Sequence, residues 1–195
     1  SEKISENDYR YHLLVLDVRK SGKTSFKSNL SKVIHQLFPG RIVVALFDPL
    51  NNTGNKITLN QLTDYFLLHG LRLRDKITVQ HQPENHWEVI TQYGSKVVFH
   101  HCYYEVLIFQ KGKFNYKSKT EEEKQACLID KGQFQREKWF LSLWDFRKHP
   151  RKVSDPVVTT RILELFLYNE EIVCSNIRQL TCPKRSFSLK YHRLS

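Results

Sequence analysis

The chain has 195 residues, 40% hydrophobic and 12% aromatic, enough for one well-buried domain and too much for wholesale disorder. Its longest apolar run, Ile42–Phe47, is six residues, against the ~18 that a membrane span needs, so no membrane partner is expected. Thirty-one Lys and Arg against 20 Asp and Glu give a net charge of +11, which points to a polyanionic partner.

The elements follow from hydrophobic spacing. His12-Leu13-Leu14-Val15-Leu16-Asp17 reads as a buried strand ending in an acid. Phe26, Leu30, Val33, Ile34, Leu37 and Phe38 then form one helical face, which Pro39-Gly40 is expected to stop. Ile42–Phe47 is a second buried strand, and Asn51-Asn52-Thr53-Gly54-Asn55 carries turn chemistry. Thr58 can cap a helix running through His69, with Leu59, Leu62 and Phe66 inward and Gly70 as its stop. Leu71, Leu73, Ile77 and Val79 belong to a third strand, and Gln80–His101 is polar, aromatic and histidine-rich without a clear period.

Tyr104–Phe109 predicts a further strand, closed by Lys111-Gly112-Lys113. Thr120-Glu121-Glu122-Glu123-Lys124 is an acidic turn or helix start, and Trp139–Phe146 is apolar and strand-like. Asp155 is expected to cap a helix with Pro156 in its first turn and Val158, Ile162, Leu165 and Phe166 inward. Ile172-Val173-Cys174 is a short last strand. Strands alternating with helices predict an α/β fold, a mainly parallel sheet with helices on both faces. One domain over residues 1–195 is expected, with residues 174–195 as a basic C-terminal tail. Ligands of such sheets sit beyond the carboxyl ends of the strands, which puts Asp17 to Thr24, the Asp48 loop and the Gln80–His101 loop on one functional edge.

Basic residues concentrate in two places. Cys174 to Ser195 contains no acid, whereas Arg178, Lys184, Arg185, Lys190 and Arg193 are basic. Arg147-Lys148-His149-Pro150-Arg151-Lys152 is the second cluster. Such clusters pair with phosphates by releasing counterions, so Arg147, Lys148, Arg151, Lys152 and the five residues of the tail are candidate nucleic-acid contacts. A solvated basic surface is the plainer alternative. The first six residues lack the apolar core of a signal peptide, and Cys102, Cys127, Cys174 and Cys182 are too scattered for a disulfide scaffold. An intracellular setting is therefore expected: the nucleus in a eukaryote, the cytoplasm in a bacterium.

Three catalytic patterns can be weighed on spacing. Ser21-Gly22-Lys23-Thr24 copies the end of a phosphate-binding loop, but the glycine needed five positions before Gly22 is Asp17, whose charge would repel phosphate. A P-loop-like NTPase is thus an alternative that this mismatch disfavours. His100, His101 and Cys102 are adjacent and, like Cys174 and Cys182, have no ligand partners at metal spacing, so no metal is expected. A nucleophilic Ser or Cys site has no local signature.

The order of the pieces carries a stronger signal. Leu14-Val15-Leu16-Asp17, Phe38-Pro39-Gly40-Arg41-Ile42-Val43-Val44, Gly70-Leu71-Arg72-Leu73-Arg74-Asp75-Lys76-Ile77 and His101–Lys113 follow one another, then Leu143-Trp144-Asp145-Phe146, His149-Pro150 and Arg161–Phe166. Over roughly residues 10–173 this series resembles the circularly permuted DNA amino-methyltransferases, which methylate adenine N6 or cytosine N4 with S-adenosylmethionine, and their eukaryotic relatives acting on RNA and DNA. The resemblance implies a Rossmann-like methyltransferase fold. It also exposes two departures. Where the family's catalytic loop carries Asp-Pro-Pro and an aromatic ring to hold the flipped base, this chain has Asp17-Val18-Arg19-Lys20. Where a glycine-bearing cofactor loop should follow Ile172-Val173, Cys174-Ser175-Asn176 stands instead. The resemblance therefore implies an inactive copy that supports an active nucleic-acid adenine methyltransferase subunit, with no cofactor expected. An active enzyme using S-adenosylmethionine is the alternative. Trp87, Tyr93 and Phe99 in the aromatic loop are candidate subunit contacts, or simply close the core.

Overall fold

Leu13, Leu14, Val15 and Leu16 are all shielded from water, and alternate residues feed two different cores. Leu14 and Leu16 pack with Leu30, Ile34, Leu62 and Phe66 on one face of the sheet, Leu13 and Val15 with Trp144, Ile162 and Leu163 on the other. A strand with both faces covered reads as an unbroken apolar run because neither side can be polar. The computed structural model describes residues 9–19, 30–49, 57–82, 102–113, 120–126 and 129–192. Its elements are β1 (Tyr11–Asp17), β2 (Leu37–Phe47), α1 (Leu59–Leu68), β3 (Leu71–Gln82), β4 (Tyr103–Lys111), α2 (Glu121–Ala126), α3 (Lys131–Arg136), β5 (Leu143–Pro150), α4 (Arg151–Phe166), β6 (Glu171–Ser175) and β7 (Phe187–Tyr191).

The strands form one seven-stranded sheet in the order β5-β3-β4-β2-β1-β6-β7. Every pairing is parallel except those of β4, which runs antiparallel between β2 and β3. This is the expected α/β architecture with a mostly parallel sheet. The helix α1 is set by its caps, as the sequence predicts. Thr58 accepts from the Gln61 N–H while the Gln61 side chain accepts from the Thr58 N–H, and Gly70 follows the helix at φ +76°.

Three local expectations are corrected. Helical residues end at 35, and Pro39-Gly40 lies inside β2 rather than terminating a helix. Tyr11 pairs with Leu37 and Leu13 with Ile42, so residues 38–41 form a bulge that needs no ladder N–H from Pro39 and uses the positive φ (+78°) of Gly40. Trp139–Phe146 is not one strand: residues 139–142 turn after α3, and β5 starts at Leu143. Phe140 and Leu141 are apolar but exposed, so composition there did not report strand burial. Asp155 is not a cap, because α4 starts at Arg151 and contains Pro156. The Asp155 carboxylate is engaged by Arg19 instead.

Residues 174–195, basic in sequence, include the end of β6 and the edge strand β7, which pairs in parallel with β6 from Glu171↔Phe187 to Ser175↔Tyr191. Among the described residues no helix is long and apolar enough to cross a membrane. None of these residues brings three or more His, Cys, Asp or Glu together as a metal site.

Candidate active-site edge

The chain leaves β1 for β2 on one side and returns through β6 and β7 on the other, so the sheet's switch point lies between β1 and β6. Crevices at such points, beyond the carboxyl ends of the strands, are where open α/β sheets bind ligands. Here Asp17 closes β1 and Ser175 closes β6. Asn176 bridges the two ends. Its side-chain oxygen accepts from the Asp17 N–H at 2.7 Å, and its amide donates to the Asp17 carbonyl at 2.8 Å. The Ser175 hydroxyl donates to the Val15 carbonyl at 2.6 Å and accepts from the Ile177 N–H at 3.0 Å.

The Asp17 side chain is taken by its near neighbour. Arg19 donates from Nε and Nη2 to the two Asp17 oxygens at 2.9 and 2.7 Å, and from Nη1 and Nη2 to those of Asp155 at 3.1 and 2.8 Å. The guanidinium is buried and lies 4.6 Å from the centroid of the Tyr104 ring. Burial works against its charge, but the hydrogen bonds and charges of Asp17 and Asp155 outweigh it and hold the pKa above the ordinary arginine value. Val18 is buried in the first core and donates its N–H to the Leu46 carbonyl, which extends the β1–β2 contact past Asp17. Of the expected degenerate loop, Asp17, Val18 and Arg19 are thus placed at this edge. Lys20 and the Ser21–Thr24 motif lie outside the described residues, as do His100, His101, Trp87, Tyr93 and Phe99.

Sequence spacing missed Asn176 as a clamp and Asp155 as an ion-pair partner. The only available signal was Asn176 standing where a cofactor loop is expected. Nothing local ties Asp155 to Arg19, which is 136 residues away.

Some of the basic candidates lie on the two lateral edges of the sheet, while the segment carrying Lys184 runs against α3 and α4. Arg147 and Lys148 are in β5 and Arg151 and Lys152 open α4, whereas Lys190 is in β7, with Arg178, Lys184 and Arg185 in the segment before it. β5 and β7 are the two outermost strands, six strand spacings or roughly 29 Å apart at ~4.8 Å each. Arg147 is chelated by Asp145 at 2.7–3.0 Å, which holds the Asp145 carboxyl down at about 2. Arg178 stacks over Tyr191 at 5.3 Å, and Lys184 donates to Gln133. Lys148, Lys152 and Lys190 are exposed, and Arg193 lies outside the described residues.

No family model matches the sequence, and no curated protein matches it either. Solved structures do. TTHA0409, a candidate DNA modification methylase from Thermus thermophilus, superposes with a TM-score of 0.65 at 14% identity over 94% of this chain and 82% of that one. Its complex with S-adenosyl-L-methionine gives 0.63 at 16% identity, over 92% and 79% of the two chains. M1.HpyAVI gives 0.52 at 11% identity, over 96% and 84%.

The fold is that of the DNA modification methylases.

This protein therefore has the Rossmann-like methyltransferase fold, and the Asp17–Asn176 edge stands at its expected ligand crevice. Identity this low carries the fold and not the chemistry.

Proposed function

We propose that this methyltransferase-like protein is a catalytically inactive subunit that supports an active nucleic-acid adenine methyltransferase and contacts nucleic acid. The observation that carries this reading is the chelation of Asp17 by Arg19. A catalytic carboxylate of this fold needs an oxygen for the target amino group, and both Asp17 oxygens already accept from Arg19. The buried Val18 supplies neither proline-shaped backbone nor an exposed ring to stack a flipped base.

The crevice residues also fit S-adenosylmethionine poorly. A cofactor at the switch point needs backbone that can approach it closely, usually through glycine, and free polar groups. Here Ser175 and Asn176 commit their side chains to Val15, Ile177 and Asp17. The basic residues beside β5 and β7 supply the nucleic-acid contact, mainly to phosphate and with weak sequence preference.

Isothermal titration of S-adenosylmethionine, paired with a radiolabelled methyl-transfer assay on adenine-containing DNA and RNA, tests this. The expected result is no binding heat and no transfer by the chain alone, with stimulation of an active subunit on addition. A micromolar dissociation constant with transfer establishes the active alternative.

A further inference from the structure

The opposite end of β1 from Asp17 opens on a cavity of about 500 Å³, lined by Tyr9, Arg10, Tyr11, His12, Phe38 and Lys190 together with Ile172. Its volume falls in the range of small-ligand sites. The bulge in β2 makes it. One residue of β1, His12, faces four of β2, so Phe38 leaves the regular ladder and sits between two other rings. Its centroid is 5.5 Å from that of Tyr9 and 4.7 Å from that of His12, with interplanar angles of 33° and 31°.

This ring series is held from behind. Arg41, the last bulge residue, forms a buried ion pair with Glu171 and lies 4.7 Å over the Tyr168 ring. Glu171 also accepts from the Tyr168 N–H at 2.9 Å, and His12 Nδ1 accepts from the Ile172 N–H at 3.1 Å. Lys111 bonds the carbonyls of Ile34 and Leu37 and sits 5.3 Å from the Tyr9 ring. The aromatic surface is thus ordered before any ligand arrives, which lowers the entropy cost of stacking on it. Among the described residues that line it none is acidic, and both Arg10 and Lys190 are exposed.

A ligand matching these groups is planar in one part and anionic in another. We propose that this cavity stacks unpaired bases of a single-stranded nucleic acid on the Tyr9–Phe38–His12 rings, with Arg10 and Lys190 on the flanking phosphates. Ring faces beside cations are how sequence-tolerant single-strand sites are built. An acidic peptide would use the cations and leave the ordered rings without a role. The proposal rests on the nucleic-acid contact in the function above and is independent of whether the chain methylates.

The test is fluorescence anisotropy of a labelled single-stranded oligothymidylate on the full chain, with bromouracil cross-linking to locate the adducts. Tyr9→Ala and Phe38→Ala are expected to weaken binding by about five-fold or more with little change in salt slope. Arg10→Ala with Lys190→Ala is expected to flatten the log–log salt slope by up to about 1.4, at ~0.7 per single-strand phosphate. Adducts are expected at Tyr9, Tyr11 or His12. Should Phe38→Ala fail to fold by circular dichroism, Tyr9→Ala carries the stacking test. Unchanged affinity in Tyr9→Ala and in the double variant, with binding lost on replacing Lys184 and Arg185, overturns this site and leaves the proposed function standing. Equal displacement by polyglutamate overturns base stacking in favour of an acidic protein partner. No binding of any oligonucleotide at low salt removes both this site and the nucleic-acid contact, whereas cofactor titration judges inactivity separately.

Discussion

Arg19 holds both carboxylate oxygens of Asp17, two residues before it, and both of Asp155, in the first turns of α4. One guanidinium therefore ties the carboxyl end of β1 to the helix that crosses the sheet. Its removal leaves two partly buried carboxylates, about a quarter exposed, facing each other without a cation. Breaking a fully buried pair costs roughly 3–5 kcal/mol, and the solvent reaching these acids reduces that to about 2–3 kcal/mol. Arg19→Ala is expected to lower urea stability by this amount, and Arg19→Lys, which cannot fork, to recover less than half. An unchanged midpoint in Arg19→Ala would show that the chelate does not support the fold.

Asn176→Ala removes both side-chain bonds to the Asp17 backbone. Partly buried hydrogen bonds contribute about 1 kcal/mol each, so a loss of about 1–2 kcal/mol is expected in denaturant unfolding. Asn176→Asp keeps the acceptor but sets a carboxylate oxygen against the Asp17 carbonyl, two acceptors in contact, and should cost at least as much as Asn176→Ala.

Gly70 sits at φ +76°, and a Cβ there would meet nothing within 4 Å. The cost of Gly70→Ala is thus one of backbone conformation alone, about 1–2 kcal/mol. Gly70→Asn should cost less, because asparagine tolerates the left-handed region at helix C-termini. Thermal unfolding of the two variants separates them.

Burial pushes the Cys174 thiol up to about 12. In the unfolded chain it titrates near ~8.5, so the unfolded state binds fewer protons between these values. Whatever Cys174 contributes is fully present below about pH 8.5 and is lost as pH rises toward 12. The stability gap between the wild type and Cys174→Ala should therefore narrow from pH 7 to pH 10. In native protein at pH 8, iodoacetamide should modify the half-buried Cys102 and Cys182 before Cys174, read by peptide mass spectrometry.

Arg147 is already neutralised in part by Asp145, whereas Lys148 and Lys152 are exposed. Replacing Lys148 and Lys152 by Ala should flatten the salt dependence of duplex binding by up to about 1.8, at ~0.9 per phosphate, and Arg147→Ala by less than one such step. Equal effects from all three would mean that nucleic acid displaces Asp145.

Much of the architecture was legible locally. The Leu13 to Leu16 run marked a strand covered on both faces, Thr58 and Gly70 marked both ends of α1, and the order of short motifs matched the methyltransferase fold that TTHA0409 shares. The first two of these signals act over two to four residues, within reach of one strand or one helical turn. The same logic misplaced Pro39-Gly40, because a helix stop and a β-bulge both favour those residues and only pairing with β1 distinguishes them. It also read exposed Phe140 and Leu141 as part of a strand.

The chemistry of the edge was decided by the tertiary structure. An aspartate at the end of a strand is a candidate catalyst in any sequence, and its environment determines whether it is available. Asp17 is engaged by Arg19, two residues away, but the Asp155 that fixes the other side of that guanidinium and the Asn176 that holds the Asp17 backbone lie 138 and 159 residues further along the chain. The same holds for the cavity, where His12 meets Phe38 and Ile172 only because β2 and β6 flank β1. Local periodicity fixes which face of an element is buried. Which side chains share one point in space follows only once the strands have chosen their neighbours.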